Sequence, residues 1–339
     1  MFISFLSLIP IFIAVFLFSL WRPKIAIFLP LVFHVSFLIK TKIFFIPLTG
    51  LEILIVGVLL GAWTGAYLLF SFEQIKRALV KNKIISLFVF FFVVGSTVSA
   101  FLTPHSNTAW GVWKAVIIEP IFYAVVLVYF VKVFVLWNRF VAALITGGLV
   151  SCLLSLVFYH LGTDFWRFRG IYDVPNSLAL ILTPLLVVAI LTFFEPAVLG
   201  LIHLKRQKIF SGVSVFVFGI FLIATQSIAG VISVVFSLCF IFLIKKRLNR
   251  QVVLGIILIV LLAIGTQAFS GKITHLLNRN SSSFIAREQI WTVATALIKD
   301  NIFLGTGLGT FEPAYQEKLK TLNSSFGSSG VLEWVVRDP

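Results

Sequence analysis

The residues best suited to chemistry sit in short polar stretches between long apolar runs. The loop Thr163–Pro175 reads T-D-F-W-R-F-R-G-I-Y-D-V-P, and Asn176 follows. It crowds Arg167, Arg169, Asp164, Asp173, Trp166 and Tyr172 into one turn of chain. Arginine suits a phosphate because its planar fork makes two parallel hydrogen bonds and stays charged. Trp166 and Tyr172 could stack on a sugar. The same composition also fits an interfacial belt, with the rings anchoring a helix end and the arginines on lipid head groups. The next such stretch, Thr225-Gln226-Ser227, is either a sugar-binding edge or a tight turn between helices. A third stretch, with Arg287, Glu288, Gln289 and Trp291, opens an amphipathic pattern. A helix start carrying arginine is an anion site in principle.

Two carboxylates fall in or beside apolar runs, where a charge is costly and therefore a candidate for function. Glu52 opens one run, where a helix N-terminus favours it. Glu119 lies deeper, before Pro120, in either a structural pair or a polar cavity. His34, His105, His160, His203 and His275 are scattered, and His105 and His275 are the better placed for chemistry. Gly305-Thr306-Gly307-Leu308-Gly309 does not follow a strand, so it is not a dinucleotide fingerprint. It reads as a turn that needs positive φ. No Walker, zinc or Ser-His-Asp spacing is present. Cys152 and Cys239 lie in apolar runs and read as small core residues, which leaves no metal ligand set and no disulfide framework.

The elements that must position these residues are membrane spans. Of the 339 residues, 60% are hydrophobic and 12% charged, with 38 phenylalanines, and the mean hydropathy is +1.10. A water-soluble domain of this size needs more polar surface. The expected fold class is all-α, a polytopic transmembrane helical bundle. About ten spans are expected from the length a bilayer requires, the second, eighth and ninth being short: Phe2–Leu20, Ile25–Ile39, Leu51–Phe70, Ile84–Leu102, Ala115–Val131, Phe140–Leu161, Asn176–Phe194, Ile209–Ala224, Ile228–Ile244 and Val252–Phe269. Ile43–Thr49, which contains Pro47, reads as an interfacial lead-in. The N-terminus reads as a retained first span.

The net charge of +15 comes from basic residues in short loops, so it is a topology signal and not a nucleic-acid surface. Fifteen loop lysines and arginines fall on one side and five on the other. The positive-inside rule puts the richer set in the cytoplasm. The loops at 163–175 and 225–227 and everything after Ser270 are then outside. If the first two apolar runs form one broken element, only the N-terminus changes side. Residues 1–269 are thus expected to be the bundle. Residues 270–339 form an extracytoplasmic segment, with an amphipathic helix at 284–299, the glycine turn at 305–309, a second possible helix at Glu312–Lys320, and a Ser/Gly-rich tail over Asn323–Gly330.

Three patterns occur in order: R-G-I-Y-D-V-P-N-S-L-A (169–179), T-Q-S-I-A-G (225–230) and R-E-Q-I-W-T-V-A-T-A-L-I-K-D-N-I-F-L-G-T-G-L-G-T-F (287–311). Together they resemble the O-antigen ligase/polymerase family of membrane proteins over about residues 40–339, including P-L-T-G-L-E (47–52). Ile228 stands where the family's turn usually has arginine. The resemblance implies a glycosyltransferase of the plasma (inner) membrane. It would move a glycan from an undecaprenyl-diphosphate carrier to a glycan, lipid or protein acceptor outside, without metal, nucleotide or other cofactor. Arg169 and Arg287 match the arginines that hold the diphosphate. The expected substrate-binding set is Arg167, Trp166, Tyr172, Asn176, Gln226, Ser227 and Trp291. The family's general base is a histidine followed by further spans, expected beyond Pro339. Asp173, Asp164 and Glu312 are the in-chain candidates. The rival readings are a transporter or flippase for a lipid-linked or anionic substrate, or a non-catalytic scaffold.

Overall fold

The structure is a computed structural model and describes residues 5–43, 46–65, 76, 83–103, 106–158, 167–194, 205–245, 265, 282–302 and 305–326. It is helical apart from one small hairpin. Among the described residues, five helices are long and apolar enough to cross a membrane: Lys83–Leu102, Thr108–Val133, Trp137–Val157, Pro175–Phe194 and Lys205–Ala224. Shorter apolar helices cover Leu8–Trp21, Gly50–Thr64 and Ile228–Ile241. The expected run Val252–Phe269 lies outside the described residues, except for Gly265.

The chain opens with α1 (Phe5–Trp21). The expected second span, Ile25–Ile39, is not one helix. It is broken into α2 (Pro23–Ala26), α3 (Leu29–Val32) and a 3-10 turn (His34–Leu38). Pro23 and Pro30 each stand at the first or second position of a new short helix, because proline has no N–H to continue the preceding ladder. Carbonyls freed by such a break need other partners. Tyr123 Oη supplies one, donating to the Ile27 carbonyl at 2.6 Å. The expected lead-in over Ile43–Thr49 is half of an antiparallel hairpin, β1 (Lys40–Ile43) on β2 (Ile46–Thr49). Pro47 is tolerated there because, among the described residues, neither strand has a second neighbour.

The bundle continues with α4 (Gly50–Thr64) and α5 (Lys83–Leu102). Then come α6 (Ser106–Val112), a π-helical stretch (Trp113–Ile118) and α7 (Glu119–Val133). Next are α8 (Trp137–Val157), α9 (Pro175–Phe194), α10 (Lys205–Ala224) and α11 (Ile228–Lys245). Two apolar cores hold the bundle. One packs α8, α9, α10 and α11 around Leu178, Leu182, Leu186 and Phe218. The other packs α2, α4 and α7 around Ile27, Val58, Val126 and Phe130. Helix α5 instead exposes Phe88, Phe90, Phe91 and Phe92, as a lipid-facing helix does.

The polar segment is a helical hairpin. The helix expected over Phe284–Lys299 runs as α12 (Ser282–Asp300). The second possible helix is longer than expected, α13 (Phe311–Phe326), so Asn323–Phe326, expected in the Ser/Gly-rich tail, are helical. Val293, Leu297, Tyr315 and Leu319 form the hairpin's own core. Between the helices, Gly305, Gly307 and Gly309 all have positive φ, as expected of that turn. Gly307 seats the hairpin on the bundle: a Cβ there would meet Thr103 Oγ1, at the end of α5.

Candidate functional site

The loop before α9 is built on a stripe of small residues along α8. Gly147, Ser151 and Ser155 recur every four residues, so they share one helix face. Gly170 has φ +62°, and a Cβ there would collide with Ser155. The next amide, Ile171 N, donates to Ser155 Oγ at 3.5 Å. Tyr172 is buried, 5% exposed. Its phenol donates to Ser151 Oγ at 3.4 Å, and its ring stacks on Phe37 at 6.3 Å. Burial pushes the Tyr172 phenol above its ordinary pKa, so it stays a protonated donor.

Arg167 ties this loop to the turn between α10 and α11. Its Nε donates to the Thr225 carbonyl at 3.2 Å, and its Nη2 donates to Asn176 Oδ1 at 2.9 Å. One residue on, Phe168 N donates to the Ala224 carbonyl at 2.9 Å, and the Phe168 ring packs edge-on against Phe221. The turn has its own scaffold. Gln226 takes φ +51°. Thr225 Oγ1 donates to the Leu222 carbonyl at 2.7 Å, and Ser227 Oγ accepts from Gly230 N at 3.4 Å. The stretch is thus a tight turn between helices, and its Thr225 carbonyl meets the arginine loop.

Beside this junction, α9 and α11 line a cleft of about 510 Å³ with Asn176, Ala179, Thr183, Ser227, Gly230 and Ser233. Asn176 belongs both to the cleft wall and to the Arg167 contact. Asn176 and Ser227 stand at its head, and its walls are mostly apolar but include Thr183 and Ser233.

Arg169 is half-buried, and its Nη1 donates to the Asp173 carbonyl at 3.4 Å, a weak tether. The Asp173 side chain is exposed. The structure thus brings together Arg167, Arg169, Tyr172, Asp173, Asn176, Gln226 and Ser227. Asp164 and Trp166 lie outside the described residues. Arg287 and Trp291 lie one helical turn apart on the exposed face of α12, Trp291 being 70% exposed. Glu312 is exposed on α13. Among the described residues, no hydrogen bond or ion pair joins Arg287, Trp291 or Glu312 to the loop cluster.

The intramembrane carboxylates have structural partners. Glu52 completes a capping box with Thr49 at the start of α4, the arrangement its helix-start position favours. It also pairs with Lys114 Nζ at 2.8 Å, and Glu119 lies beside both. Two site-loop neighbours were not evident from residue types: Ser151, and His34, whose Nε2 lies 3.0 Å from Ser151 Oγ. The one sequence signal for them was the four-residue spacing of Gly147, Ser151 and Ser155. Of the histidines favoured from sequence, His105 and His275 lie outside the described residues, as do His160 and His203.

Part of the chain matches a known family. Residues 213–329, about a third of the chain, match the family model described as O-antigen ligase. The match spans the 225–227 turn, α11, α12, the glycine turn and α13. No curated protein and no solved structure matches.

Proposed function

We propose that this chain, a protein of the O-antigen ligase/polymerase family, moves a glycan from a polyprenyl-diphosphate carrier to an acceptor hydroxyl. The observation that carries the reading is the junction at Arg167. A cationic loop is fastened to the family-matched turn at the head of a cleft between α9 and α11. A mostly apolar cleft with an arginine-bearing loop fastened at its head complements a lipid tail bearing a diphosphate.

In the reaction, the acceptor oxygen attacks the anomeric carbon and forms the new glycosidic bond. The bond from that carbon to the diphosphate oxygen breaks, and the diphosphate leaves with the electron pair. The hydroxyl proton passes to a general base. Arg169 and Arg287 neutralise the charge growing on the leaving diphosphate, which is electrostatic stabilisation of the transition state. Arginine charge takes the place a metal would otherwise fill. Trp291, one turn from Arg287, offers a face for sugar stacking. Asp173, beside Arg169, is the described in-chain carboxylate best placed as a base.

The reaction lies on the outer face of the plasma membrane. Loops that the charge distribution assigns to that face touch one another. Thr103 meets Gly307, Arg167 meets Thr225, and Lys114 meets Glu52 just after the 40–49 hairpin. Arg169→Ala and Arg287→Ala in the intact membrane protein are each expected to lower lipid-linked glycan transfer by at least about a hundredfold. Transfer at the wild-type rate by both variants would overturn the mechanism.

A further inference from the structure

Behind the site loop, three polar side chains from distant parts of the sequence form a hydrogen-bonded chain. Tyr172 Oη lies 3.4 Å from Ser151 Oγ, Ser151 Oγ lies 3.0 Å from His34 Nε2, and His34 Nδ1 lies 3.1 Å from the Leu31 carbonyl. Donor chemistry gives the chain one direction. The Leu31 carbonyl only accepts, so Nδ1 carries the ring proton, and the neutral imidazole then presents its lone pair at Nε2. That lone pair takes the single proton of Ser151. The Ser151 oxygen is left to accept from Tyr172.

The packing is arranged around this chain. Ser151 is fully buried, so an unmatched hydroxyl there would be costly. Gly147, one turn earlier on α8, lies so close to the Leu31 carbonyl and His34 Nδ1 that a Cβ would strike the carbonyl. Ser155, one turn later, fits beneath Gly170. Phe37, three residues after His34, stacks on the Tyr172 ring. The broken second apolar run therefore delivers both His34 and Phe37 to the back of the loop.

We propose that His34 is a positioning residue of the candidate donor site. Acting through Ser151, it fixes Tyr172 and so sets the placement of the loop that carries Arg167 and Arg169. The proposal rests on reading that loop as the diphosphate site. Among the described residues, Arg169 itself has only the 3.4 Å tether to Asp173, so its placement follows that of the loop backbone.

The test uses the intact protein in nanodiscs and compares wild type with His34→Leu, His34→Gln, Ser151→Ala and Tyr172→Phe. Two quantities are measured: hydrogen exchange of the amides at 170–174, and the Kd for undecaprenyl diphosphate. His34→Leu, Ser151→Ala and Tyr172→Phe are expected to speed exchange and weaken binding, each about twofold to fivefold, the lower part of the range of one lost hydrogen bond because the Tyr172–Ser151 contact is long. His34→Gln places an amide oxygen near the former Nε2 and is expected to restore both. Tyr172→Phe removes one oxygen and keeps the ring, so it reports on the chain even where His34→Leu does not fold. Wild-type exchange in Ser151→Ala and Tyr172→Phe would overturn the proposal, as would a His34→Gln variant as impaired as His34→Leu. Wild-type protein that fails to bind undecaprenyl diphosphate, while the variants still release the loop, would refute the donor-site reading and support the anchoring by His34.

Discussion

Arg167 and Arg169 are two residues apart but are used differently. Arg167 spends two of its donors on Thr225 and Asn176, so it acts as a strut between the loop and the α10–α11 turn. Arg169 keeps most of its fork available. Substitution should separate the two roles. Arg167→Ala leaves the Thr225 carbonyl without this donor and is expected to destabilise the folded protein by about 1–3 kcal/mol. Thermal unfolding in detergent measures this. Arg167→Lys should recover only part of the loss, because an ammonium cannot reproduce the two-pronged geometry. Arg169→Ala should leave the unfolding temperature nearly unchanged while transfer collapses. An Arg169→Ala protein that unfolds earlier than Arg167→Ala would reverse the assignment.

At the scale of elements, two tight turns are seated closely against helices, and each depends on a glycine. Gly170 has left-handed backbone and faces Ser155. Gly307, at φ +108°, faces Thr103. A side chain at either position adds backbone strain of about 1–3 kcal/mol and a steric clash. Gly307→Ala is expected to loosen the α12–α13 hairpin from the end of α5 without unfolding it, because Val293, Leu297, Tyr315 and Leu319 remain packed. Limited proteolysis should then cut first around residues 300–310. Hydrogen exchange within α12 should stay close to wild type. Complete loss of α12 protection would mean that the hairpin has no stability of its own. The Asp300–Lys318 pair at 2.7 Å is exposed and contributes little to that stability.

At the scale of the whole molecule, three contacts tie the polar stretches together: Thr103 with Gly307, Arg167 with Thr225, and Lys114 with Glu52. The positive-inside rule assigns these stretches to the outer face. It assigns the loops with most of the lysines and arginines to the cytoplasm. Cysteine labelling in intact cells tests the orientation. In a background lacking Cys152 and Cys239, Glu288→Cys should react with a membrane-impermeant maleimide added outside. Lys208→Cys should react only after permeabilisation. The reverse pattern would place the arginine loop in the cytoplasm and exclude an external transferase.

The sequence by itself determined the helical membrane class, the positions of most apolar helices, the glycine turn with positive φ, and the stretches that carry the family resemblance. These are local properties: hydropathy over a span's length, helical periodicity, and glycine where other residues are strained. It did not determine that Ile25–Ile39 breaks into short pieces, because hydropathy is blind to proline's missing N–H. Nor did it determine the partners of Arg167, which meets Thr225 58 residues away, or of Ser151, which meets His34 117 residues away. Composition left the arginine loop open between a lipid-facing belt and a phosphate site. Tertiary packing decided how that loop is held, because a buried polar group must find its partner wherever the fold brings one within reach.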